Sequence, residues 1–144
     1  LVLTRQKLTV FPKADTNWTT SIRDGGYIVR DTGGKPDVVI LASGSEVSLA
    51  LEAAEKSSKN VRVVSVMDKG AFDRQTPEKR AELIPEGSRV IAAEAGISGD
   101  WGLYVDRQKA LFTINRFGES GPGSEVAEEL GFTADALARL CDEG

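Results

Sequence analysis

The sequence contains no histidine, and Cys141 is its one cysteine among 144 residues. Without histidine, the chain cannot form a Ser-His-Asp or Cys-His nucleophile system, a histidine general base or a histidine metal site. A single cysteine excludes an internal disulfide and a cysteine-cluster zinc site. Cys141 follows Leu137 and Leu140 in a spacing typical of a helix face, which indicates a buried structural thiol.

An excess of one charge and long apolar runs are also absent. Eighteen basic and 22 acidic residues leave a net charge of −4, and 40% of the residues are hydrophobic. This composition is typical of one folded domain and does not favour binding to nucleic acid or to an anionic membrane. Apolar runs such as 38–42 are far shorter than the roughly 20 residues of a membrane-spanning helix. No signal peptide opens the chain, so we expect a cytoplasmic protein.

Alternating strand and helix patterns predict an α/β fold. Apolar segments predict strands at 25–31, 38–42, 61–66, 90–93 and 111–114. Helical patterns or turns follow at 43–58, 76–85, 100–105, 124–130 and 133–142. Such alternation builds a single three-layer, doubly wound domain with a mixed, mostly parallel sheet of about five strands.

Two regions depart from this regular alternation. The turn-rich segment 32–36 separates the first two strands, which predicts a hairpin and therefore one antiparallel pair. Residues 5–24 show no clear period and contain Pro12, so we interpret them as a linker or surface loop. The chain begins at Leu1 rather than at a methionine, which suggests a piece of a longer polypeptide.

The sharpest local motif is Ser43-Gly44-Ser45-Glu46, directly after a predicted core strand. Its spacing fits a capping box, with Ser43 at the helix N-cap and Glu46 three residues later. A helix N-terminus at the carboxyl end of a strand also favours anions, so Ser43, Gly44 and Ser45 form a possible anion site. The chain lacks GxGxxG and a Walker lysine here, so capping is the simpler interpretation.

Glu94 ends another predicted core strand. A lone carboxylate at such a place is more often structural, and segment 73–74 and Arg116 are its candidate partners. Trp101 and Tyr104 have helical spacing typical of packing or interface residues. From the residues alone, the chain is an α/β module with no catalytic residue, cofactor site or metal site of its own.

Short motifs in order along the whole chain resemble the C-terminal third of transketolase. They are 4–6, 25–27, 42–47, 62–65, 72–75, 94–98, Trp101 with Tyr104, 116–118 and 131–134. The chain departs from the family pattern at 66–70, where the family has Met-Pro before an aromatic region, and in the segment before Gly25.

This resemblance implies a two-carbon ketol transfer between sugar phosphates in the pentose phosphate pathway. The whole enzyme would be a homodimer that uses thiamine diphosphate and Mg²⁺, which two upstream domains bind. Residues 1–24 would then be the end of the preceding domain plus a linker. Residues 25–144 would be a non-catalytic C-terminal domain with a structural or regulatory role, and this chain itself would hold no cofactor.

The resemblance implies one substrate contact, from Arg5 to the phosphate of the sugar substrate. A guanidinium group suits bidentate phosphate binding, although an ordinary exposed arginine is the simpler interpretation. The alternatives are a free-standing anion- or nucleotide-binding module, or the equivalent domain of a pyruvate dehydrogenase beta chain or a dihydroxyacetone synthase. The sequence upstream of Leu1 would discriminate between them.

Overall fold

The computed structural model describes residues 6–106 and 110–143, and its centre is a five-stranded sheet of order β1-β3-β2-β4-β5. The strands are β1 (Gly26–Arg30), β2 (Val38–Ala42), β3 (Val61–Val66), β4 (Arg89–Glu94) and β5 (Leu111–Thr113). Strands β2 to β5 run parallel, and β1 is antiparallel to β3. The predicted mixed sheet with one antiparallel pair is confirmed.

The predicted hairpin between the first two strands is wrong, because β1 pairs with β3. All five residues of β2 are buried, and its two edges are taken by β3 and β4. A strand buried on both faces belongs in the middle of a parallel sheet, so β1 is left with the free edge of β3.

Helices cover both faces of the sheet, as predicted. They are α1 (Trp18–Ser21), α2 (Glu46–Lys56), α3 (Lys69–Asp73), α4 (Pro77–Leu83), α5 (Gly123–Glu129) and α6 (Ala134–Asp142), with a 3₁₀ turn at Gly99–Leu103. Helices α2 and α6 share one hydrophobic cluster with the sheet, and α3 and the 3₁₀ turn contribute to the other. No helix in the described parts of the chain is long and apolar enough to cross a membrane.

The segment before β1 is more ordered than the predicted loop. It contains α1 and a 3₁₀ turn at Ile22–Asp24, and Trp18 and Ile22 pack against the core. The backbone N–H groups of Ala14 and Asp15 donate to carbonyl oxygens of β1 at 3.0 and 3.1 Å. Buried apolar contacts from two residues are enough to order a short segment whose sequence shows no period.

Candidate functional site

Two polar side chains at the carboxyl ends of β2 and β4 meet directly. The Ser43 hydroxyl donates to Glu94 Oε2 at 3.1 Å, and the indole Nε1 of Trp101 donates to the same oxygen at 3.1 Å. Trp101 is almost fully buried, at 1% exposure, so it fixes the carboxylate from a rigid position. The candidate site is therefore a carboxylate held by a hydroxyl and an indole.

Two of the expected partners of Glu94, Asp73 and Arg116, have other partners. Arg116 forms an ion pair with Glu119, three residues along the same loop. Asp73 accepts a hydrogen bond from the Tyr104 hydroxyl at 2.8 Å. Burial, together with this hydrogen bond, raises the pKa of Tyr104 to about 12. The two neutral donors described above, rather than Asp73 or Arg116, are therefore the partners of Glu94.

The capping box predicted at Ser43 does not form. Helix α2 begins at Glu46, and no side chain caps its first turn. Gly44 has a φ of +53°, a left-handed conformation that glycine adopts readily, and the Ser43 hydroxyl is bonded to Glu94. An ionised carboxylate is a stronger hydrogen-bond partner than a neutral group, which explains why the hydroxyl turns to Glu94. The Ser45 hydroxyl donates to Glu46 Oε1 at 2.7 Å.

Negative charge is concentrated around the possible anion site at Ser43, Gly44 and Ser45. Burial raises the pKa of Glu46, and the nearby charge of Glu94 adds to this, against the hydrogen bond from Ser45. An anion bound at this turn would meet both carboxylates, which is unfavourable. The anion site stays a prediction that a thermal-shift series with phosphate, sulfate and nucleotides can test.

One cation and one aromatic ring pack against Trp101, the indole donor to Glu94. Lys69 Nζ lies 4.1 Å from the centroid of the Trp101 ring, a cation–π distance. The Trp101 and Tyr104 rings meet edge to face with centroids 5.9 Å apart. Trp101 is therefore a packing residue. Sequence reasoning missed the role of Lys69, because the lysine acts through a ring 32 positions away that no local pattern links to it.

A cleft of about 550 Å³ opens beside this site. Its apolar wall comes from α2, α5 and the segments next to them, with Leu49, Ile114, Val126, Ala127, Leu130 and Phe132. Glu46 and Glu119 supply carboxylates, and Gln6 also lines the cleft. Sequence reasoning missed this cleft, because its walls come from segments far apart in the chain.

Two of the remaining predicted residues can be placed or set aside. Cys141 is a free, buried cysteine, as predicted, and burial raises the pKa of its thiol to about 12. Arg5 lies outside the described residues. Within 6–106 and 110–143, no group of three His, Cys, Asp or Glu side chains could hold a metal ion.

Known proteins resemble this chain in both sequence and fold. Residues 25–133 match the family model described as the transketolase-like C-terminal domain. Transketolase of Treponema pallidum is 46% identical over 141 residues, which cover 97% of this chain and 21% of that protein. Transketolase 2 of Escherichia coli is 38% identical over 141 residues, which cover 95% of this chain and 21% of that protein.

Solved structures agree with these matches. A transketolase from Pichia stipitis in complex with sedoheptulose 7-phosphate is 31% identical, with a TM-score of 0.81 over 95% of this chain and 20% of that one. The chain spans about a fifth of the length of the curated relatives that it matches.

Proposed function

The chain belongs to the transketolase family as a C-terminal domain of that family, and from this we propose that it serves a longer ketol-transferring enzyme. The proposed enzyme moves a two-carbon ketol unit from a ketose phosphate to an aldose phosphate, as part of the pentose phosphate pathway. The observation that carries the proposal is the match of residues 25–133 to the family's C-terminal domain, with 46% identity to a transketolase. The sugar phosphate held by the Pichia stipitis transketolase supports the substrate class.

Within this proposal, the domain has a structural or regulatory role. The chain has no histidine, and its described residues hold no group that could bind a metal ion. Within this proposal, thiamine diphosphate and Mg²⁺ are bound by the upstream domains of the cytoplasmic, homodimeric enzyme. We place the domain boundary between residues 24 and 25, and the start of the family match at residue 25 supports this choice. Helix α1 and its 3₁₀ turn precede the boundary and pack onto the domain.

Turnover by the 144-residue chain tests whether the catalytic groups lie in the upstream domains. Supplied with thiamine diphosphate, Mg²⁺, a ketose phosphate and an aldose phosphate, the chain alone should form no product. The longer enzyme should transfer the ketol unit under the same conditions. Ketol transfer by the chain alone would mean that this domain carries catalytic groups.

Arg5 is the residue to which we assign a substrate contact, to the phosphate of the sugar. A hydrogen bond to a charged group contributes about 1.5–3 kcal/mol. This contact is remote from the reacting carbons, so we expect it to be equally strong in the ground and transition states. In the longer enzyme, Arg5→Ala should therefore raise KM for phosphorylated substrates by roughly tenfold to a hundredfold and spare kcat.

Two controls separate phosphate binding from a structural role. Arg5→Ala should barely change KM for a non-phosphorylated hydroxyaldehyde, because that substrate has no phosphate for Arg5 to contact. Arg23→Ala, at an exposed arginine of the same leading segment, should leave both parameters unchanged. Equal losses on both substrate classes would assign Arg5 to the fold or to domain docking.

A further inference from the structure

Two neighbouring loops at the carboxyl ends of β4 and β5 expose large apolar side chains. Ile97 is 73% exposed and Phe117 is 96% exposed. The loops are joined by two hydrogen bonds, from Ile114 N to Gly96 O at 2.9 Å and from Ser98 N to the Asn115 side chain at 2.8 Å. We call Ile97 and Phe117 the carboxyl-edge surface. Large apolar side chains exposed on two joined loops mark an interaction site more often than scattered ones do.

The carboxyl-edge surface continues into the cleft beside α2. The loop that bears Phe117 also supplies Ile114 and Glu119 to the cleft wall. Glu46 lies in the cleft with its carboxylate partly removed from water. Gln6 lines the same cleft, so the polypeptide reaches this domain at this place.

We propose that the carboxyl-edge surface and its cleft dock the domain that precedes residue 6 in the same polypeptide. That domain would present apolar side chains to Ile97 and Phe117 and a lysine or arginine to Glu46. The proposal rests on the proposed function, which supplies the upstream domain. It names the surface and the chemistry by which the two domains meet.

Chain continuity and charge both select this occupant. A domain attached through Gln6 is held beside the cleft at a high effective concentration, so even a modest contact area keeps it docked. Docking would further dehydrate Glu46, whose side-chain donor in this chain is the neutral hydroxyl of Ser45. A cation from the occupant would compensate the charge of the dehydrated carboxylate. A second copy would instead place acidic clefts close together, on a chain whose net charge is −4.

Cysteine labelling tests the docking directly, because the native Cys141 is buried. Gly118 lies next to Phe117, and a Cβ added there meets nothing within 4 Å. Gly102 is equally open and precedes Leu103, a residue 78% exposed outside the carboxyl-edge surface. Gly118→Cys is therefore the probe, Gly102→Cys is its matched control, and the labelled peptides are read by mass spectrometry.

We expect the thiol introduced by Gly118→Cys to be labelled at least about tenfold more slowly in the longer enzyme than in the 144-residue chain. The thiol introduced by Gly102→Cys should be labelled at similar rates in both proteins. Adding Phe117→Ser or Glu46→Gln to Gly118→Cys should restore fast labelling in the longer enzyme. Equal labelling of the Gly118→Cys thiol in both proteins would overturn the proposal. Protection in the 144-residue chain that grows with its concentration would also overturn it, by identifying a second copy as the occupant.

Ketol transfer by the same longer enzyme keeps the two proposals apart. An active enzyme in which the Gly118→Cys thiol is fully reactive would refute the docking and leave the proposed function in place. A longer enzyme with no ketol transfer would refute the proposed function, whatever the labelling pattern.

Discussion

The two faces of the sheet are covered in different ways. On one face, α2 and α6 pack through small side chains, with Ala50, Ala53, Ala54, Ala134 and Ala138 all buried. On the other, short helices and turns bring large rings, with Phe72 at 0% and Trp101 at 1% exposure. Small side chains let long helices approach the strands closely, whereas short segments fill the same depth with aromatic side chains.

The difference matters for the candidate site, because the aromatic face holds Glu94. Trp101 both fills the core and donates its indole N–H to that carboxylate. A change on the aromatic face therefore alters the site as well as the stability, whereas a change under α2 should alter stability alone. The following predictions test this contrast, in order of expected effect.

Trp101→Ala should cause the largest loss. It removes a buried ring from the aromatic face, which costs about 3–5 kcal/mol of unfolding free energy. Trp101→Phe should cost clearly less, because a ring remains, and the loss is the indole donor to Glu94 and part of the ring volume. Urea unfolding of both variants gives the comparison, and equal costs would show that the hydrogen bond rather than the ring dominates.

Ala50→Leu tests the close packing of the alanine face. Ala50 is fully buried between α2 and the sheet, so a larger side chain should destabilise the fold by about 1–3 kcal/mol. Glu52→Leu, on the exposed side of the same helix, should change stability by less than about 0.5 kcal/mol. An unchanged free energy of unfolding for Ala50→Leu would mean that the space between α2 and the sheet is not closely packed.

A pair of hydroxyl deletions separates a helix cap from a site contact. Thr76 caps α4 by accepting from Lys79 N at 3.4 Å, and Thr76→Ala should cost about 1 kcal/mol. Ser43→Ala should cost a similar amount, about 0.5–1.5 kcal/mol, through its lost hydrogen bond to Glu94.

A double-mutant cycle distinguishes the two roles. Ser43→Ala and Glu94→Gln should show a coupling energy of at least about 0.5 kcal/mol, since the two side chains touch. Thr76→Ala should be additive with Glu94→Gln within the error of the unfolding measurement. Additivity at Ser43 would show that its hydrogen bond to Glu94 contributes nothing measurable to stability.

Glu46→Gln should give the smallest effect, and its sign depends on pH. Burial raises the pKa of Glu46 in the folded chain, so the folded state holds the proton more tightly than the unfolded state. The contribution of Glu46 to stability should therefore fall as pH rises from the usual glutamate pKa through the raised one. At pH 7, Glu46→Gln should raise the unfolding midpoint, and the two midpoints should converge in acid. Thermal unfolding between pH 3 and pH 7 checks this, and a constant difference would contradict it.

Local patterns predicted the regular elements well. Helix α6 and its buried Leu137 and Cys141 follow from apolar spacing, and the start of α4 follows from Thr76 and Pro77. The residues that produce these signals lie within a few positions of each other, so they can be recognised from the sequence alone. The alternation of strand and helix patterns predicted the mixed, mostly parallel sheet.

The misses depend on partners far away in the chain. The Ser43 hydroxyl donates to Glu94, 51 positions later, and no property of segment 43–46 predicts that hydrogen bond. The neighbour of β1 is decided by which strands already occupy the edges of β2. Helix α3 is short, and its cap at Asp68, which accepts from Ala71 N at 3.0 Å, carries no periodic signal. A local sequence pattern does not show which distant residues or strands compete for the same partner.

The pairing of β1 with β3 has a consequence for how the chain is made. Gly26 of β1 pairs with Val66 of β3, about 40 positions later, rather than with a strand just across a turn. At a synthesis rate of about 5–20 residues per second, β1 emerges from the ribosome roughly 2–8 s before its partner exists. During that interval Tyr27 and Val29, both buried in the finished fold, have no β3 to pack beside. The nascent chain is therefore open to chaperone capture between these two strands, in an interval that a simple hairpin would have closed almost at once.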